Sequence, residues 1–312
     1  MSMKGIDIAS YQAKMDVRKT DAQFVIIKAT QGTTYKNPYF SAHYAQAKEA
    51  GKLLAAYHYC TGAGAEKEAD FFLSVVGSRA GECVLALDWE YNKGGGENSM
   101  YNKSGEVEYV RKMAARIHEK TGTWPLIYMS ASVTRRRDWS PVAENCPLWM
   151  AQYGSTKLTG WQTAPWTDGK ACGAWGRNIA IHQYSPSGNI SGWHPGREHQ
   201  LDMDIAYITA EEWKALASGG KGSGTASGSA APATGSKVTA SVFPDKTNQE
   251  LAVEVLFNVH GSGAARRQAL GDRYDAVQKI VTAYCDDFPA FLEAAKAYFK
   301  KHGHTAISNA NR

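Results

Sequence analysis

The segment Val84-Leu-Ala-Leu-Asp-Trp-Glu90 is an apolar run that ends in two carboxylates. In an extended strand, side chains two residues apart point to the same face, with roughly 6–7 Å of backbone rise between them. Asp88 and Glu90 therefore project together, and each charge raises the proton affinity of the other. Such a pair suits hydrolysis of a glycosidic bond, in which one carboxyl donates a proton and another stays ionised. The segment alone is equally compatible with an Asp that caps a helix beside an unrelated surface Glu.

Similar apolar runs that end in polar or aromatic residues recur along the first two thirds of the chain. We predict a strand at each of them, at residues 4–7, 24–28, 53–59, 84–90, 125–128, 147–152, 179–183 and 201–204. Segments with a helical period lie between the early runs, at residues 39–50, 65–76 and 105–120, with a shorter one at 130–137. Gly51 and Gly122 stand where the ends of these helices favour a left-handed residue.

The order of these elements indicates an α/β fold. Strands that alternate with helices predict parallel βαβ units, and a barrel of such units carries its functional groups at the C-terminal strand ends. The segments 154–176 and 185–199 are rich in Gly and lack a helical period. We therefore expect loops between the last strands, some antiparallel pairing, and an incomplete or flattened barrel.

Charge and cysteine content limit the classes of function. The net charge of +5 is spread along the chain, and no basic stripe predicts a nucleic-acid partner. The cysteines are odd in number and lack metal-ligand spacing; they are Cys60, Cys83, Cys146, Cys172 and Cys285. We expect Cys60 and Cys83 to be small buried hydrophobic residues. No apolar stretch reaches the length of a membrane span, so we expect no stable membrane insertion.

A composition change divides the chain into two folded parts. Residues 218–241 are almost entirely Gly, Ser, Ala and Thr, a composition that behaves as a flexible tether. We predict domains at 1–216 and 242–312, with a linker at 217–241. Helical patterns follow the linker at residues 249–259, 274–284 and 289–301. A module of about 70 residues can fold as a small three-helix bundle.

Six motifs in the first part resemble glycoside hydrolase family 25, the muramidases or lysozymes of the Chalaropsis type. They are Lys4-Gly-Ile-Asp7, Phe24-Val-Ile-Ile-Lys28, Ala56-Tyr-His-Tyr59, Leu87-Asp-Trp-Glu90, Leu148-Trp-Met-Ala-Gln-Tyr153 and Leu201-Asp-Met-Asp204. The resemblance covers roughly residues 3–210, in the family's order. It implies an irregular TIM-like barrel, five βα units followed by extra strands, which agrees with the pattern of elements.

The resemblance also implies roles for acidic residues. Glu90 matches the family's proton donor, and Asp88, Asp7 and Asp202 match the other acidic positions of the cleft. We expect three neighbouring carboxylates to raise the pKa of Glu90. An ionised partner would stabilise the oxocarbenium-like transition state directly or orient the 2-acetamido group of the substrate. Asp204 is the alternative to Asp202, although we favour a surface or loop-capping role for it.

Further side chains at the strand ends are candidates for contacts with sugars. Aromatic rings can pack on pyranose rings, although aromatic residues in strands are as often core residues. The candidates are Lys28, Tyr57, Tyr59, Tyr128, Trp149, Gln183, Tyr184 and Asp204. His58 alternates with Tyr57 and Tyr59, so we expect it to be a core histidine. For the run of arginines at 135–137 we favour a solvated helix face over contacts with stem-peptide carboxylates.

The C-terminal segment resembles the helical cell-wall-binding repeat of certain phage lysozymes. The matching residues are Leu251-Ala-Val-Glu-Val-Leu256, Gly261-Ser-Gly263, Arg266 and Tyr274-Asp-Ala-Val-Gln278. That repeat recognises peptidoglycan muropeptide rather than choline, which makes Arg266 a candidate for binding the wall. His260 stands where the repeat has a Trp, so this chain departs from the pattern beside the glycines.

The expected function is hydrolysis of β-1,4 bonds between N-acetylmuramic acid and N-acetylglucosamine, with peptidoglycan as the partner and no metal or cofactor. We expect a phage endolysin that stays in the host cytoplasm until a holin-type lesion releases it to the cell wall. The alternatives are a bacterial autolysin, a non-catalytic peptidoglycan-binding protein, and a metal-dependent hydrolase. The last would use Asp7, Asp88, Glu90 and Asp202 as an oxygen cage.

Overall fold

The computed structural model describes residues 2–91, 97–193, 201–219, 243, 245–256, 269–286 and 288–302. The chain forms two compact units, Met1–Gly224 and Thr225–Arg312. Most of the predicted linker lies outside the described residues, so the linker stays a prediction. A helix ends at Ser218, two residues beyond the boundary predicted at 216.

The described part of the first unit contains nine strands in one sheet. They are β1 (Met3–Ile8), β2 (Phe24–Gln31), β3 (Tyr35–Lys36), β4 (Leu53–Tyr59), β5 (Val84–Asp88), β6 (Leu126–Ser130), β7 (Leu148–Ala151), β8 (Ile179–Ser185) and β9 (Asp202–Ala206). The order is β1-β9-β8-β7-β6-β5-β4-β2-β3, and β1 also pairs with β2. Eight strands therefore close into a barrel, and β3 is a short addition to β2.

The eight predicted strands are confirmed, and so is antiparallel pairing among the last of them. β9 runs antiparallel to both β8 and β1, whereas the other strands of the ring pair in parallel. The expected incomplete or flattened barrel is wrong, because β9 fills the gap between β8 and β1. The two-residue strand β3 was not predicted.

Helices pack around the barrel, and the first four of them lie where the 3.6-residue period predicts them. The helices are α1 (Phe40–Glu49), α2 (Ala65–Val76), α3 (Glu106–Thr121), α4 (Ala131–Thr134), α5 (Ser140–Ala143) and α6 (Ala210–Ser218). Gly51 and Gly122 have φ values of +67° and +75°, which confirms their left-handed conformation after α1 and α3. The pattern did not predict α5 or α6, although Thr209 and Glu212 form a capping box at the start of α6.

The barrel has two apolar layers, one outside the sheet and one inside it. Phe24 and Ile26 of β2 belong to the inner layer, whereas Val25 and Ile27 pack outside against the helices. Both faces of these strands are buried, so their sequences are continuous apolar runs without polar alternation. The helices supply spaced apolar residues to the outer layer, such as Phe72 and Val76 on α2.

Helix α6 closes the N-terminal end of the barrel. The Trp213 ring lies 4.8 Å from the Phe24 ring, centroid to centroid, and Trp213 Nε1 donates to the Leu54 carbonyl oxygen at 3.0 Å. The Phe24 ring also occupies the space above Gly5, where an added Cβ would lie 2.3 Å from ring carbons. A cavity inside the barrel must therefore open at the opposite end.

The second unit is helical in its described part. Its helices are α7 (Asn248–Leu256), α8 (Tyr274–Asp286) and α9 (Phe288–His302), which confirms the three predicted helices. Leu251, Val255 and Val277 are buried in its core. Ala295 and Tyr298 of α9 are buried against Val253, whereas Leu292 of the same helix is 41% exposed.

Candidate active site

A cavity of about 210 Å³ lies inside the barrel, at the C-terminal ends of the parallel strands. It is lined by Asp7, Tyr57, Asp88, Glu90, Tyr128, Trp149, Tyr153, Gln183 and Asp202. All four acidic residues predicted as catalytic are in this lining. Tyr57, Tyr128, Trp149 and Gln183, predicted to contact substrate, also line the cavity, whereas Lys28, Tyr59 and Asp204 do not.

The direction of the strands explains how distant carboxylates meet. Asp88 is the last residue of β5, and its backbone is in register with Tyr59 of β4 and Tyr128 of β6. Asp7 near the end of β1 is in register with Asp202 of β9. Because β9 is antiparallel, its first residue rather than its last lies at the open end of the barrel.

Burial governs the protonation of Asp88 and Glu90. Burial raises the pKa of Glu90, and the nearby Lys28 ammonium opposes the rise. The pKa of Asp88 is raised well above its ordinary value, first by burial and then by the charge of Glu90, against the effect of Lys28. We predicted a raised pKa for Glu90 from three neighbouring carboxylates. The direction is confirmed, but the cause is removal from water.

Asp204 is buried behind the cavity, so the surface or loop-capping role that we favoured is wrong. It is 0% exposed, and Trp149 Nε1 donates to its Oδ1 at 2.8 Å. Residues two apart in a strand share a face, so Asp204 points into the barrel like Asp202. Burial raises the pKa of Asp204 to about 8, opposed by the Trp149 bond and reinforced by the charge of Asp202.

Asp7 is held between an amide and a second carboxyl. Gln183 Nε2 donates to Asp7 Oδ2 at 2.6 Å. The pKa of Asp7 is raised well above its ordinary value by burial and then by the charge of Asp204, whereas the Gln183 hydrogen bond lowers it. The side chains of Asp7 and Asp204 also interact with each other, which raises the pKa of Asp7 and lowers that of Asp204. Two buried carboxyls in such contact share a proton more readily than they both ionise.

Two tyrosines orient Gln183. Tyr128 OH donates to Gln183 Oε1 at 2.7 Å, and Tyr153 OH donates to the same oxygen. With Oε1 occupied as an acceptor, the Gln183 amide directs its N–H toward Asp7. We did not predict Tyr153 in the site. The signal was available, because Trp149, Ala151 and Tyr153 continue the period-two pattern of β7 past its end.

The predicted sugar-binding aromatics divide between the cavity and its surroundings. Trp149 packs edge-on against Tyr57 and Tyr128, with ring centroids 6.0 and 4.6 Å apart. Tyr59 lies beside the site, where Lys28 Nζ stands 4.7 Å from its ring centroid. Tyr184 was wrongly predicted as a sugar contact. It follows the inward-facing Gln183, so it is buried in the outer layer.

Lys28 is held at the side of the cavity without lining it. Its Nζ donates to Gln31 Oε1 at 2.8 Å. Burial lowers the pKa of Lys28, and the charges of Asp88 and Glu90 oppose this effect. Lys28 therefore acts on the two carboxylates through its charge.

His58 is a core histidine, as predicted. Its Nδ1 is 2.8 Å from Thr30 Oγ1 and its Nε2 is 2.9 Å from Glu68 Oε2, and the ring is completely buried. Cys60 and Cys83 are free and buried, which confirms the prediction that they behave as small hydrophobic residues. His58, Cys60 and Cys83 do not line the cavity.

The arginines at 135–137 follow α4 instead of lying on it, so the predicted helix face is wrong, although Arg135 and Arg137 are exposed to solvent. Arg135 binds both oxygens of Asp168, at 2.8 and 3.0 Å. Arg136 Nη2 and Arg137 Nε bind opposite oxygens of Glu106, at 2.6 and 3.0 Å. Glu106 is fully buried, and a buried carboxylate requires such partners.

Among the residues whose structure is described, no group of three or more His, Cys, Asp or Glu side chains is arranged to hold a metal ion. None of the described helices combines the length and the apolar character that a membrane span requires. The predicted wall-binding residue Arg266 lies outside the described residues, as do His260 and the glycines at 261 and 263.

The chain is similar to known lysozymes. Lysozyme M1 of Streptomyces globisporus is 30% identical over 203 residues, which cover 61% of this chain and 64% of that protein. A lysozyme of Streptococcus phage Cp-9 is 29% identical over 218 residues, covering 68% of this chain and 53% of the phage protein. The crystal structure of a lysozyme from Streptomyces coelicolor superposes with a TM-score of 0.58 at 27% identity, covering 70% of this chain and 98% of its own.

The chain covers 52–64% of the length of the first curated relatives that it matches. Residues 249–284 match the model of the CW_7 repeat. Residues 6–193 match the model of glycosyl hydrolases family 25. This match covers more than half of the chain and contains the barrel strands except β9 and the first half of β1, and the chain belongs to glycosyl hydrolase family 25.

Proposed function

We propose that this protein is a muramidase that hydrolyses the β-1,4 bonds between N-acetylmuramic acid and N-acetylglucosamine in peptidoglycan. The observation that carries the proposal is the convergence of Asp7, Asp88, Glu90 and Asp202 in one cavity at the open end of the barrel. Membership of the family and the lysozyme relatives support the same activity.

We assign the general acid to Glu90. Its pKa is raised by burial, so the side chain holds the proton for the glycosidic oxygen to higher pH than an exposed Glu would. Glu90 is also less buried than Asp88, which lies deeper in the barrel. Among the described residues, no hydrogen-bond donor contacts Asp88 Oδ1. That oxygen is itself buried, which fits the raised pKa of Asp88.

The positive charge that develops on the sugar requires an ionised carboxylate. Asp88 and Asp202 line the cavity and are the candidates. Either can stabilise the oxocarbenium-like transition state directly or orient the 2-acetamido group of the substrate. Asp7, which Gln183 orients, is the remaining acidic residue of the cavity lining. Asp204 acts from behind it as a positioning residue, because it touches Asp7 and Trp149 rather than the cavity.

A purified peptidoglycan digest tests this function. The protein should generate new reducing ends, and chelation of divalent metals should leave the rate unchanged because the mechanism uses only side chains of this chain. An absence of new reducing ends would favour the non-catalytic binding protein. Activity lost with chelator and restored by added metal would favour the metal-dependent hydrolase.

Lys28→Met should move the alkaline limb of the kcat/KM pH profile to higher pH. Lys28 lowers the pKa of Glu90, so its neutral replacement lets Glu90 keep the catalytic proton to higher pH. Lys36→Met is the matched control, because Lys36 is exposed on β3 and is not among the groups that shift Glu90. A limb that stays in place in the Lys28 variant, or that moves equally in both variants, would contradict this electrostatic role.

We also propose that the second unit binds the muropeptide of the wall and that residues 217–241 tether the two domains, 1–216 and 242–312. The CW_7 match at residues 249–284 supports the first statement, and the composition of the linker supports the second.

Removing the second unit should separate binding from catalysis. A variant that contains residues 1–220 keeps α6, which closes the barrel, and should cleave soluble glycan fragments as fast as the full chain. Lysis of intact cells should fall roughly 10–100-fold. Linking two binding modules can raise the overall affinity by about 10²–10⁴-fold, so a fall of this size is compatible with the loss of one module. Equal lysis of intact cells by the two proteins would exclude a targeting role for the second unit.

Arg266→Ala should weaken sedimentation with insoluble peptidoglycan. A guanidinium can form two hydrogen bonds with a carboxylate, and loss of such a charged contact costs about 1.5–3 kcal/mol, or roughly 10–100-fold in affinity. The measurement uses the full chain with Glu90→Gln, so that the wall stays intact. Arg267→Ala is the control. Equal binding by both variants and their parent would remove Arg266 from the wall-binding site.

For its biological setting we propose an endolysin, made in the host cytoplasm and released to the cell wall through a holin-type lesion. The lysozyme of Streptococcus phage Cp-9 supports this setting, whereas the autolytic lysozyme of Clostridium acetobutylicum, 31% identical over 193 residues, supports the bacterial autolysin. Expression in a susceptible bacterium should cause lysis only together with a holin. Lysis without a holin would favour the autolysin.

A further inference from the structure

Trp166 is a large exposed aromatic residue that the proposed mechanism does not use. It is 55% exposed and lies between β7 and β8, in the segment rich in Gly, Trp and Thr. A single exposed aromatic side chain needs no explanation by itself. The position of Trp166 and the way in which it is held, however, connect it with the cavity.

Trp166 is packed against the backbone at the rim of the cavity. An added Cβ on Gly154 would lie 2.9 Å from Trp166 Cβ and 3.3 Å from its Cγ, so only glycine allows this approach. Gly154 directly follows Tyr153, which lines the cavity and is 36% exposed. The two aromatic side chains therefore flank one glycine, with Tyr153 at the edge of the cavity and Trp166 beside it.

The segment that carries Trp166 is fixed by polar contacts. Asp168 N donates to Gln152 Oε1 at 3.1 Å, and the Arg135 guanidinium binds both Asp168 oxygens. Arg135 Nε also donates to the Ala171 carbonyl oxygen at 3.0 Å. An aromatic side chain on so well anchored a backbone loses little conformational entropy when a ligand packs on it.

The size of the cavity leaves most of a glycan strand outside. Its volume of about 210 Å³ is below the roughly 300–1,000 Å³ of pockets that enclose drug-sized ligands. It can accept about one amino-sugar ring, and the neighbouring rings must cross the rim. Trp166 presents a flat apolar face there, and its indole N–H can reach a polar group at the edge of the ring.

We propose that Trp166, next to Tyr153, forms a sugar-binding subsite outside the cavity, where an N-acetylhexosamine ring of the glycan strand stacks on the indole. This subsite would hold a sugar beyond the one in the cavity, so it contributes to the binding of long glycans and not of short ones. The proposal rests on the glycan substrate proposed above.

Binding measurements on the full chain with Glu90→Gln test this subsite. The probes are a disaccharide and a hexasaccharide of alternating N-acetylglucosamine and N-acetylmuramic acid, titrated calorimetrically. Trp166→Ala should weaken hexasaccharide binding about three- to tenfold, the size of one aromatic contact, and leave disaccharide binding unchanged. Trp166→Phe should retain most of the affinity. Tyr207→Ala should have no effect, because Tyr207 is 46% exposed but follows β9 at the opposite end of the barrel.

Three results would overturn the subsite: hexasaccharide binding that is unchanged in Trp166→Ala, an equal loss for both sugars, or no hexasaccharide binding by the parent. Failure of the proposed hydrolysis appears in a different measurement, as an absence of new reducing ends from the wild-type protein. A Trp166-dependent affinity for the hexasaccharide would support the subsite even in that case.

Discussion

Glu90→Gln should lower the rate of peptidoglycan hydrolysis by about 10²–10⁴-fold, the contribution that a general acid typically makes. The amide has nearly the shape of the acid but cannot donate a proton to the leaving oxygen. Turnover is measured as new reducing ends per unit time on purified peptidoglycan. Glu97→Gln is the matched control, because Glu97 is an exposed acid a few residues further along the chain.

Thermal stability separates loss of chemistry from loss of fold. Burial raises the pKa of Glu90. The free energy of unfolding of the wild type therefore decreases as the pH rises from the ordinary pKa of Glu to the raised pKa in the folded protein. The Gln variant has no such loss, and its Tm at neutral pH should equal or exceed that of the wild type. Near-wild-type turnover, or a large fall in Tm, would remove Glu90 from the role of general acid.

Asp202→Asn should lower kcat by at least about 10²-fold, the usual effect of removing one group that stabilises charge in a transition state. Asp204→Asn should lower it by no more than about tenfold, the upper value for one lost hydrogen bond. Asp202 lines the cavity, whereas Asp204 lies behind it. An Asn at 204 can still accept from Trp149 through its amide oxygen.

The two aspartates are each other's control, because both are inward-facing residues of β9, two positions apart. Their kcat values on the same peptidoglycan give the comparison, with near-UV circular dichroism to confirm intact packing. Equal losses, or a larger loss at 204, would reverse their assignment and make Asp204 the residue that acts on the substrate.

The acidic cavity is predictable because it depends on a local rule. Period-two alternation places Asp88 with Glu90 and Tyr57 with Tyr59, and the same rule places Tyr153 after Trp149. Asp204 shows the limit of this reasoning. Its environment depends on β9 lying antiparallel between β1 and β8, a pairing between segments almost two hundred residues apart that no local pattern contains.

Closure of the barrel was missed for a similar reason. The Gly-rich segments before β8 and β9 indicated irregular connections, and irregular connections suggested an open barrel. Closure is decided by the pairing of β1 with both β2 and β9 and by the packing of Trp213 against Phe24. These contacts join the two ends of the domain. The capping box at Thr209 was the one local signal of α6.

The arginine run illustrates how charge patterns mislead. A sequence shows three cations but not the carboxylates that face them, and Glu106 is 30 residues away from Arg136. Once buried, Glu106 must be paired, so Arg136 and Arg137 hold α3 to the segment after β6, although Arg137 stays exposed to solvent.

The identity of the sugar at each new chain end tests the proposed activity most directly. Purified peptidoglycan is digested with the wild-type protein, the new ends are reduced with borohydride, and the fragments are identified by mass spectrometry, with the Glu90→Gln variant as the blank. Hydrolysis between N-acetylmuramic acid and N-acetylglucosamine should leave reduced N-acetylmuramic acid at every new end. Reduced N-acetylglucosamine at those ends, or fragments released without any new reducing sugar, would contradict a muramidase.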